Sequence, residues 1–432
     1  MRLLSGSGRK HEGNHCMKIK VDHTQFALLG LALLLLCGNY WALFTSYKVY
    51  LLILMAAGFI PLLLPFYYNK SSYVLPWVIC FLIVVFNRNR ELAQGEYFST
   101  SRLCSAYLFI LASTKSADWI KKAPQWIAFI GGWNIIATIA FFFDSDLYDT
   151  FIQFTYRKYP QGIADASEGY MAGLADHYSQ NGTYITIVLL TVWAVFFCMD
   201  KCRRERVLLF LVGIIAAAAL LLTTKRAHLL FGIATMIIVY FLVNPEKRAN
   251  KTFKFGIFAA ALLAALSLLI DAVPTFGEVF ERFQTAGTDD ASLYRLLMWK
   301  TALDIFLEHS IFGIGWYGFR YQSGLSDAIG ATAGCHNIYF ELLCETGAVG
   351  FIIFMFAMVF SLVKTYRNIN MLRCCQSEAL QKSKYALAVS LAIQIFVLMY
   401  GMTGNPIYDA TFCFYAVAVA INISFSAQYE NC

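Results

Sequence analysis

Three positions of this 432-residue chain pair a charge or a titratable ring with surroundings that chemistry could use. Arg226 lies in Thr223-Thr224-Lys225-Arg226-Ala227-His228, a cationic interruption between two apolar runs. A charge beside a membrane is costly unless it has a partner or a task. Arg226 is therefore either an anion-binding group or one of two snorkelling cations in a helix hairpin; its side of the membrane, argued below, favours the anion. Arg295 follows Asp289-Asp290 in a segment that predicts a helix capped by Asp290 or Ser292. Leu293, Leu296, Leu297, Leu303, Ile305, Phe306 and Leu307 form its mostly apolar stripe. That pattern puts Arg295 in the first turn, where a cation opposes the macrodipole at a cost of about 0.3–1 kcal/mol. An anion held by the guanidinium and the free backbone N–H groups would offset that cost. The other reading is an ordinary interfacial arginine beside Trp299. His336 opens Cys335-His336-Asn337-Ile338-Tyr339-Phe340-Glu341, at the expected start of a helix ending near Gly347. A helix N-terminus disfavours imidazolium, so this ring would stay neutral and able to accept a proton.

Other chemistry is poorly supported. His11, His15 and His23 fall in a polar tail, His177 and His309 have no partner motif, and His228 reads as part of a helix. The twelve cysteines include no CxxC pair. Cys335 and Cys344 share one loop, which would permit a disulfide on an oxidising side, but a helix beginning at His336 would hold them apart. Asp144-Ser145-Asp146 and Asp289-Asp290 resemble metal-binding pairs, yet two carboxylates at a membrane edge read more simply as solvated caps. The turn His309 to Phe319, rich in glycine and aromatic residues, fits no phosphate-loop or dinucleotide pattern.

The elements that must position these residues are apolar. The chain is 59% hydrophobic and 14% charged, with a mean hydropathy of +0.58, which belongs to an all-α, polytopic membrane protein. Its net charge of +7 does not imply nucleic acid, because the basic residues sit in short loops between apolar runs. Runs long enough to span begin at Phe26–Phe44 and recur at about 49–68, 72–86, 98–114, 124–143, 182–199, 207–224, 227–243, 253–273, 347–364, 384–402 and 408–426, about twelve in all. The first is too long for a signal-peptide core and has no small-x-small site after it, so it reads as a retained helix. With the N-terminus inside, alternation places 22 of the 34 lysines and arginines in cytoplasmic loops. The expected organisation is a cytoplasmic tail at 1–22, nine spanning helices over 23–273 with an outer loop at 144–181, an outer catalytic loop at 274–346, and three helices with a cytoplasmic C-terminus over 347–432. The outer loop contains short amphipathic helices.

The Thr-Lys-Arg-Ala turn, the run Tyr294-Arg295-Leu296-Leu297-Met298-Trp299 leading to Phe312-Gly313-Ile314-Gly315-Trp316, and His336-Asn337 followed by Glu341 and Gly347 together resemble the bacterial O-antigen ligase and polymerase superfamily. The strong part covers about 225–350, and Ser310 stands where that family often has proline. The resemblance implies an inner-membrane glycosyltransferase with its site at the periplasmic face. Its donor is a glycan on undecaprenyl pyrophosphate, its acceptor a lipid A-core hydroxyl or, in a polymerase, another glycan. It assigns the pyrophosphate to Arg226 and Arg295, the acceptor hydroxyl to His336, and a further substrate-binding position to Asp409, in Gly404-Asn405-Pro406-Ile407-Tyr408-Asp409. No metal and no cofactor is expected, since two arginines can carry the leaving-group charge, and direct displacement would invert the anomeric carbon. The ligase reading is preferred because one loop holds both Arg295 and His336. A lipid-glycan flippase or transporter would instead line a path at the bilayer midplane with charges, whereas these charges lie at helix ends.

The basic-residue pattern makes a direct prediction. Alkaline phosphatase fused at Gly324 should be active and fused at Lys382 inactive; the opposite result reverses the topology on which the outer site depends.

Overall fold

The computed structural model describes residues 23–40, 43, 47–59, 72–87, 96–112, 118–155, 170–175, 177–199, 203–243, 252, 256, 290–326, 333–372 and 378–429. Among them the regular structure is helical. The helices are α1 (His23–Asn39), α2 (Tyr47–Phe59), α3 (Leu75–Phe86), α4 (Glu96–Ala112), α5 (Ala123–Phe143), α6 (Ser145–Thr155), α7 (Tyr178–Cys198), α8 (Arg203–Leu222), α9 (Arg226–Val243), α10 (Asp290–Glu308), α11 (Gly318–Gln322), α12 (Ile338–Met371), α13 (Glu378–Tyr400) and α14 (Thr411–Tyr429). In lipid every backbone polar group must be paired within its own segment, so apolar runs of this length close as helices. Pro76 and Pro124 sit in the first turns of α3 and α5, where a missing N–H is harmless.

Among the described residues seven helices are long and apolar enough to cross a membrane: α5 with the short 3-10 turn before it, α7, α8, α9, α12, α13 and α14. The apolar helices α1 to α4 are shorter than a full span. Of the twelve expected spans, the one at 253–273 lies outside the described residues except for Gly256. The expected tail at 1–22 and residues 156–169 and 274–289 of the two expected outer loops do as well.

The bundle is inside-out relative to a water-soluble protein only at its rim. α14, α13 and α7 are almost wholly enclosed, whereas α12 exposes Val349, Ile352, Phe356, Val359 and Val363 at helical spacing. α8 exposes Val207, Leu208, Leu211, Ile214 and Ile215. Apolar stripes of that extent suit contact with lipid. At the end away from the site, polar side chains join the central helices: Asn368 Nδ2 donates to Asn422 Oδ1 and Ser426 Oγ at 2.8 Å each, and Gln394 Nε2 donates to Thr365 Oγ1 at 2.9 Å. Bonds of this kind between membrane helices contribute about 0.6 kcal/mol each on average.

α12 is two helices joined across a break. Gly347 has φ +66 and ψ −175, and the freed backbone groups are taken up by residues 310–315 rather than left bare. Ile314 N donates to Cys344 O at 3.0 Å and Gly315 N to Glu345 O at 2.9 Å. In the other direction, Ala348 N donates to Ser310 O at 2.8 Å and Val349 N to Ile311 O at 3.3 Å. Asn87, after α3, completes the junction by donating through Nδ2 to Phe312 O at 3.1 Å and accepting from Trp316 N at 2.6 Å. The break is tolerated because these bonds replace the ones the helix loses at Gly347.

The close approach explains two glycines. A Cβ at Gly347 would overlap the Ile311 carbonyl, and one at Gly313 (φ +68) the Glu345 carbonyl. Gly347→Ala should destabilise the protein by about 2–5 kcal/mol, combining left-handed backbone strain with overpacking. Thermal unfolding of the purified variant in detergent, compared with wild type, reads this directly; an unchanged melting temperature contradicts it.

Candidate active site

The residues of interest gather at one end of the bundle, and two buried carboxylates shape that end. Glu345, in the last turn before the break, accepts from Tyr317 N at 3.0 Å, Phe319 N at 3.1 Å and the Tyr408 hydroxyl at 2.6 Å. It therefore ties the glycine and aromatic turn to the loop between α13 and α14. Trp316 stacks on Tyr408 at 4.5 Å, and Tyr317, with φ 66, donates its hydroxyl to Tyr408 O at 3.2 Å. This rigid turn leads into the short helix α11, which carries Arg320. Glu341, one turn earlier on α12, accepts from Cys335 N at 3.1 Å, and its other oxygen is buried without a hydrogen-bond partner.

His336 is held from both sides. Cys335 N is bonded to Glu341; Asn337 caps α12 by accepting from Tyr339 N at 3.0 Å and Phe340 N at 3.3 Å, and donates to Met402 O at 3.1 Å. Ile338 N reaches Gly401 O at 2.9 Å. Between these anchors His336 takes φ 53, a left-handed conformation that a non-glycine residue adopts at a cost and that clusters at functional sites. The sequence places His336 at the start of the helix; the helix instead begins at Ile338, because Asn337 has the capping side chain. The imidazole is still held neutral, by a different cause. Its edge is open to solvent, but protein crowds it on most sides. That desolvation, followed by the charges of Arg295, Arg320 and Lys225, pushes its pKa down to about 4.

Those three cations come from three separate elements. Arg295 is half-buried in the second turn of α10, not the first, because the helix already includes Asp290; the macrodipole cost expected from sequence is correspondingly smaller. Arg320 sits on α11 with its guanidinium carbon 5.7 Å from the Tyr317 ring centre, against Gly334. Lys225 belongs to the turn between α8 and α9, where Thr224 has φ 53, and its Nζ lies 3.9 Å over the Tyr178 ring. Its neighbour Arg226 opens α9 and is half-buried, with Nη1 enclosed by protein. His177 Nδ1 accepts from Ser179 N at 3.0 Å to cap α7, and burial, Lys225 and His336 push its pKa down to about 3.

Asp409 occupies a neighbouring position with a clear structural duty. Its Oδ1 accepts from Thr411 N at 2.7 Å at the start of α14. Burial raises its pKa, against the opposing pull of Thr411, Arg102 and Arg320. Structure thus brings His336 and Arg295 into one electrostatic environment and joins Asp409 to it through Arg320, whereas Arg226 is its neighbour only through the adjacent Lys225 in the chain.

Sequence reasoning gave no role to Lys225, Arg320, His177 or Glu345. The visible signal for Glu345 was its spacing from Glu341, two acids one helical turn apart in a chain poor in charge. Asp144, weighed as a metal ligand, accepts from Leu147 N at 2.9 Å as a cap of α6. Among the described residues no group of three or more His, Cys, Asp or Glu is placed to hold a metal ion. Cys335 and Cys344 are buried free thiols in one apolar cluster with Met298 and Phe319.

The segment from α8 through the break in α12 frames this site. Residues 211–355 match the O-antigen ligase family. The superfamily resemblance drawn from sequence holds over that stretch, which includes the Thr-Lys-Arg-Ala turn, α10, α11 and His336. No curated protein matches the chain. This match, together with the apolar helices, points to a multi-pass membrane protein related to glycosyl-transfer enzymes.

The charge environment of His336 is measurable without any substrate. In the folded protein its imidazole should titrate near pH 4 by NMR of histidine-labelled protein, remaining neutral at pH 6, where an ordinary histidine is largely protonated. Because the folded pKa is depressed, its contribution to stability is fully present above about 6.5 and is lost as pH falls towards 4. A midpoint near 6.5 would contradict this environment.

Proposed function

We propose that the chain is an O-antigen ligase of the bacterial inner membrane, transferring a glycan from undecaprenyl pyrophosphate to a lipid A-core hydroxyl at the periplasmic face. The observation that carries this reading is a neutral histidine set among cations from several elements inside the O-antigen ligase domain. A pyrophosphate needs positive charge around it, and a sugar hydroxyl needs a base that is unprotonated at working pH.

In this reading Arg226 and Arg295 hold the pyrophosphate. His336 accepts the proton of the acceptor hydroxyl as its oxygen bonds to the anomeric carbon. The bond from that carbon to the phosphate oxygen breaks on the opposite side, so configuration inverts and undecaprenyl pyrophosphate leaves with the electron pair. The arginines contribute most when charge builds on the leaving oxygen, which is where preorganised donors lower a barrier. No metal or cofactor is invoked. Asp409 serves the donor from behind, since it caps α14 and faces Arg102 and Arg320.

Lipopolysaccharide from a deletion strain separates the acceptors: core lacking polymer supports the ligase, whereas core carrying one repeat unit identifies a polymerase. Purified variants test the roles. Arg226→Ala and Arg295→Ala should weaken donor binding and slow single-turnover transfer, and Arg295→Lys should recover part, because an ammonium cannot form the bidentate fork. His336→Ala should bind donor normally while transfer falls roughly 100- to 10,000-fold. Wild-type rates in any of these would remove that residue from the mechanism.

A further inference from the structure

We infer that α12, α13 and α14 enclose a binding site for an internal water, which donates hydrogen bonds to Asn368 Oδ1 and Gln394 Oε1 and accepts one from the Ser361 hydroxyl. The inference is independent of the glycan chemistry proposed above and rests on a buried polar seam that this chemistry leaves unused.

Ser361, Thr365 and Asn368 are spaced i, i+4 and i+7, so they share one face of α12. None of them is more than 3% exposed, and Gln394 of α13, which packs on that face, is fully buried. The bonds among these residues settle which way each amide points. Thr365 Oγ1 donates to Ser361 O at 2.8 Å and Ser390 Oγ donates to Ala418 O at 2.6 Å, so both hydroxyl protons are already engaged. Gln394 reaches the same two hydroxyl oxygens at 2.9 and 3.0 Å and must do so by donating through Nε2, which turns its Oε1 away from them. From α14, Asn422 donates through Nδ2 to Ser361 O at 3.3 Å, which leaves its Oδ1 to accept from Asn368 Nδ2 at 2.8 Å. Asn368 Nδ2 also donates to Ser426 Oγ at 2.8 Å, so Oδ1 is the unengaged end of that side chain.

Three polar atoms remain. Asn368 Oδ1, Gln394 Oε1 and Ser361 Oγ are buried with no hydrogen-bond partner in the protein. Thr365, which Gln394 touches, lies between Ser361 and Asn368 on the α12 face, so all three atoms belong to the same stretch of the seam. Leaving such groups bare is expensive. Their chemistry specifies the ligand: two amide oxygens call for a hydrogen-bond donor, and a serine hydroxyl can donate to that ligand in turn. A water satisfies all three atoms with three bonds, the usual number for a buried water. A metal cation fits less well. Among the described residues no carboxylate joins these bonds to balance its charge, and hard cations gather about six oxygens or more.

The test uses the full-length protein in lipid nanodiscs. A cryo-EM map of wild type, fine enough to show ordered solvent, should carry a density peak within hydrogen-bond distance of both Asn368 Oδ1 and Gln394 Oε1; this measurement needs no variant. Ser361→Ala adds a reading decided by its sign, because it removes only the hydroxyl and keeps the Ser361 carbonyl that Thr365 and Asn422 use. If that hydroxyl serves a water, its loss should lower the melting temperature by about 1–3 °C, whereas deleting a buried hydroxyl that serves nothing should raise it or leave it unchanged. Wild type should melt at the same temperature in sodium chloride and in choline chloride. A map with no peak at this place, or a Ser361→Ala protein that melts at or above the wild-type temperature, overturns the inference. Stabilisation by sodium that Ser361→Ala abolishes also overturns it, since the ligand is then a cation. None of these results bears on the glycosyl-transfer reading.

Discussion

The site depends on how the broken helix α12 satisfies its own backbone. A break at Gly347 frees the carbonyls of residues 344 and 345 and the N–H groups of 348 and 349, and each such group left buried and bare would cost roughly 1–3 kcal/mol. Residues 310–315 supply the missing partners in both directions. The segment 310–315 is consequently joined to the bundle, and Gly313 and Gly347 are the residues that let the two backbones meet. Displacing this junction would release Glu345 from the Tyr317 turn, and with it α11 and Arg320.

Two buried carboxylates extend the same logic. Burying an ionisable group is expensive unless hydrogen bonds or opposite charge offset the lost hydration. Glu345 has three donors from two loops, and Glu341 has the Cys335 N–H on one oxygen with Arg320 acting on it. These acids join the turn of α11, the residues flanking His336 and the loop before α14 into one rigid rim. Preorganisation of this kind lets cations and an imidazole keep fixed positions without reorganising when charge develops.

The electrostatics then divide the labour. His336 is held neutral first by desolvation and then by the positive field of Arg295, Arg320 and Lys225, which penalises imidazolium. Removing one of these cations should therefore raise the pH at which His336 titrates.

The sequence by itself determined the all-helical, membrane-spanning class, because apolar runs cannot lie in lipid in any other open form, and it determined which segment departs from that rule. It also singled out Arg226, Arg295 and His336 as candidates, since charges and a histidine at the ends of apolar runs stand out against so little polarity. What it could not determine was proximity. Lys225 and Arg226 are adjacent in the chain, and only the packing of the α8–α9 turn against distant segments lets Lys225 act on His336. Glu345 reads as one more acid near a helix end until the break at Gly347 turns it towards Tyr317 and Tyr408. Asp409 reads as a polar loop residue until Thr411 N shows it capping α14. Local pattern reports the backbone state of each segment; which side chains share a field depends on contacts between segments far apart in the chain, and those only the tertiary structure decides.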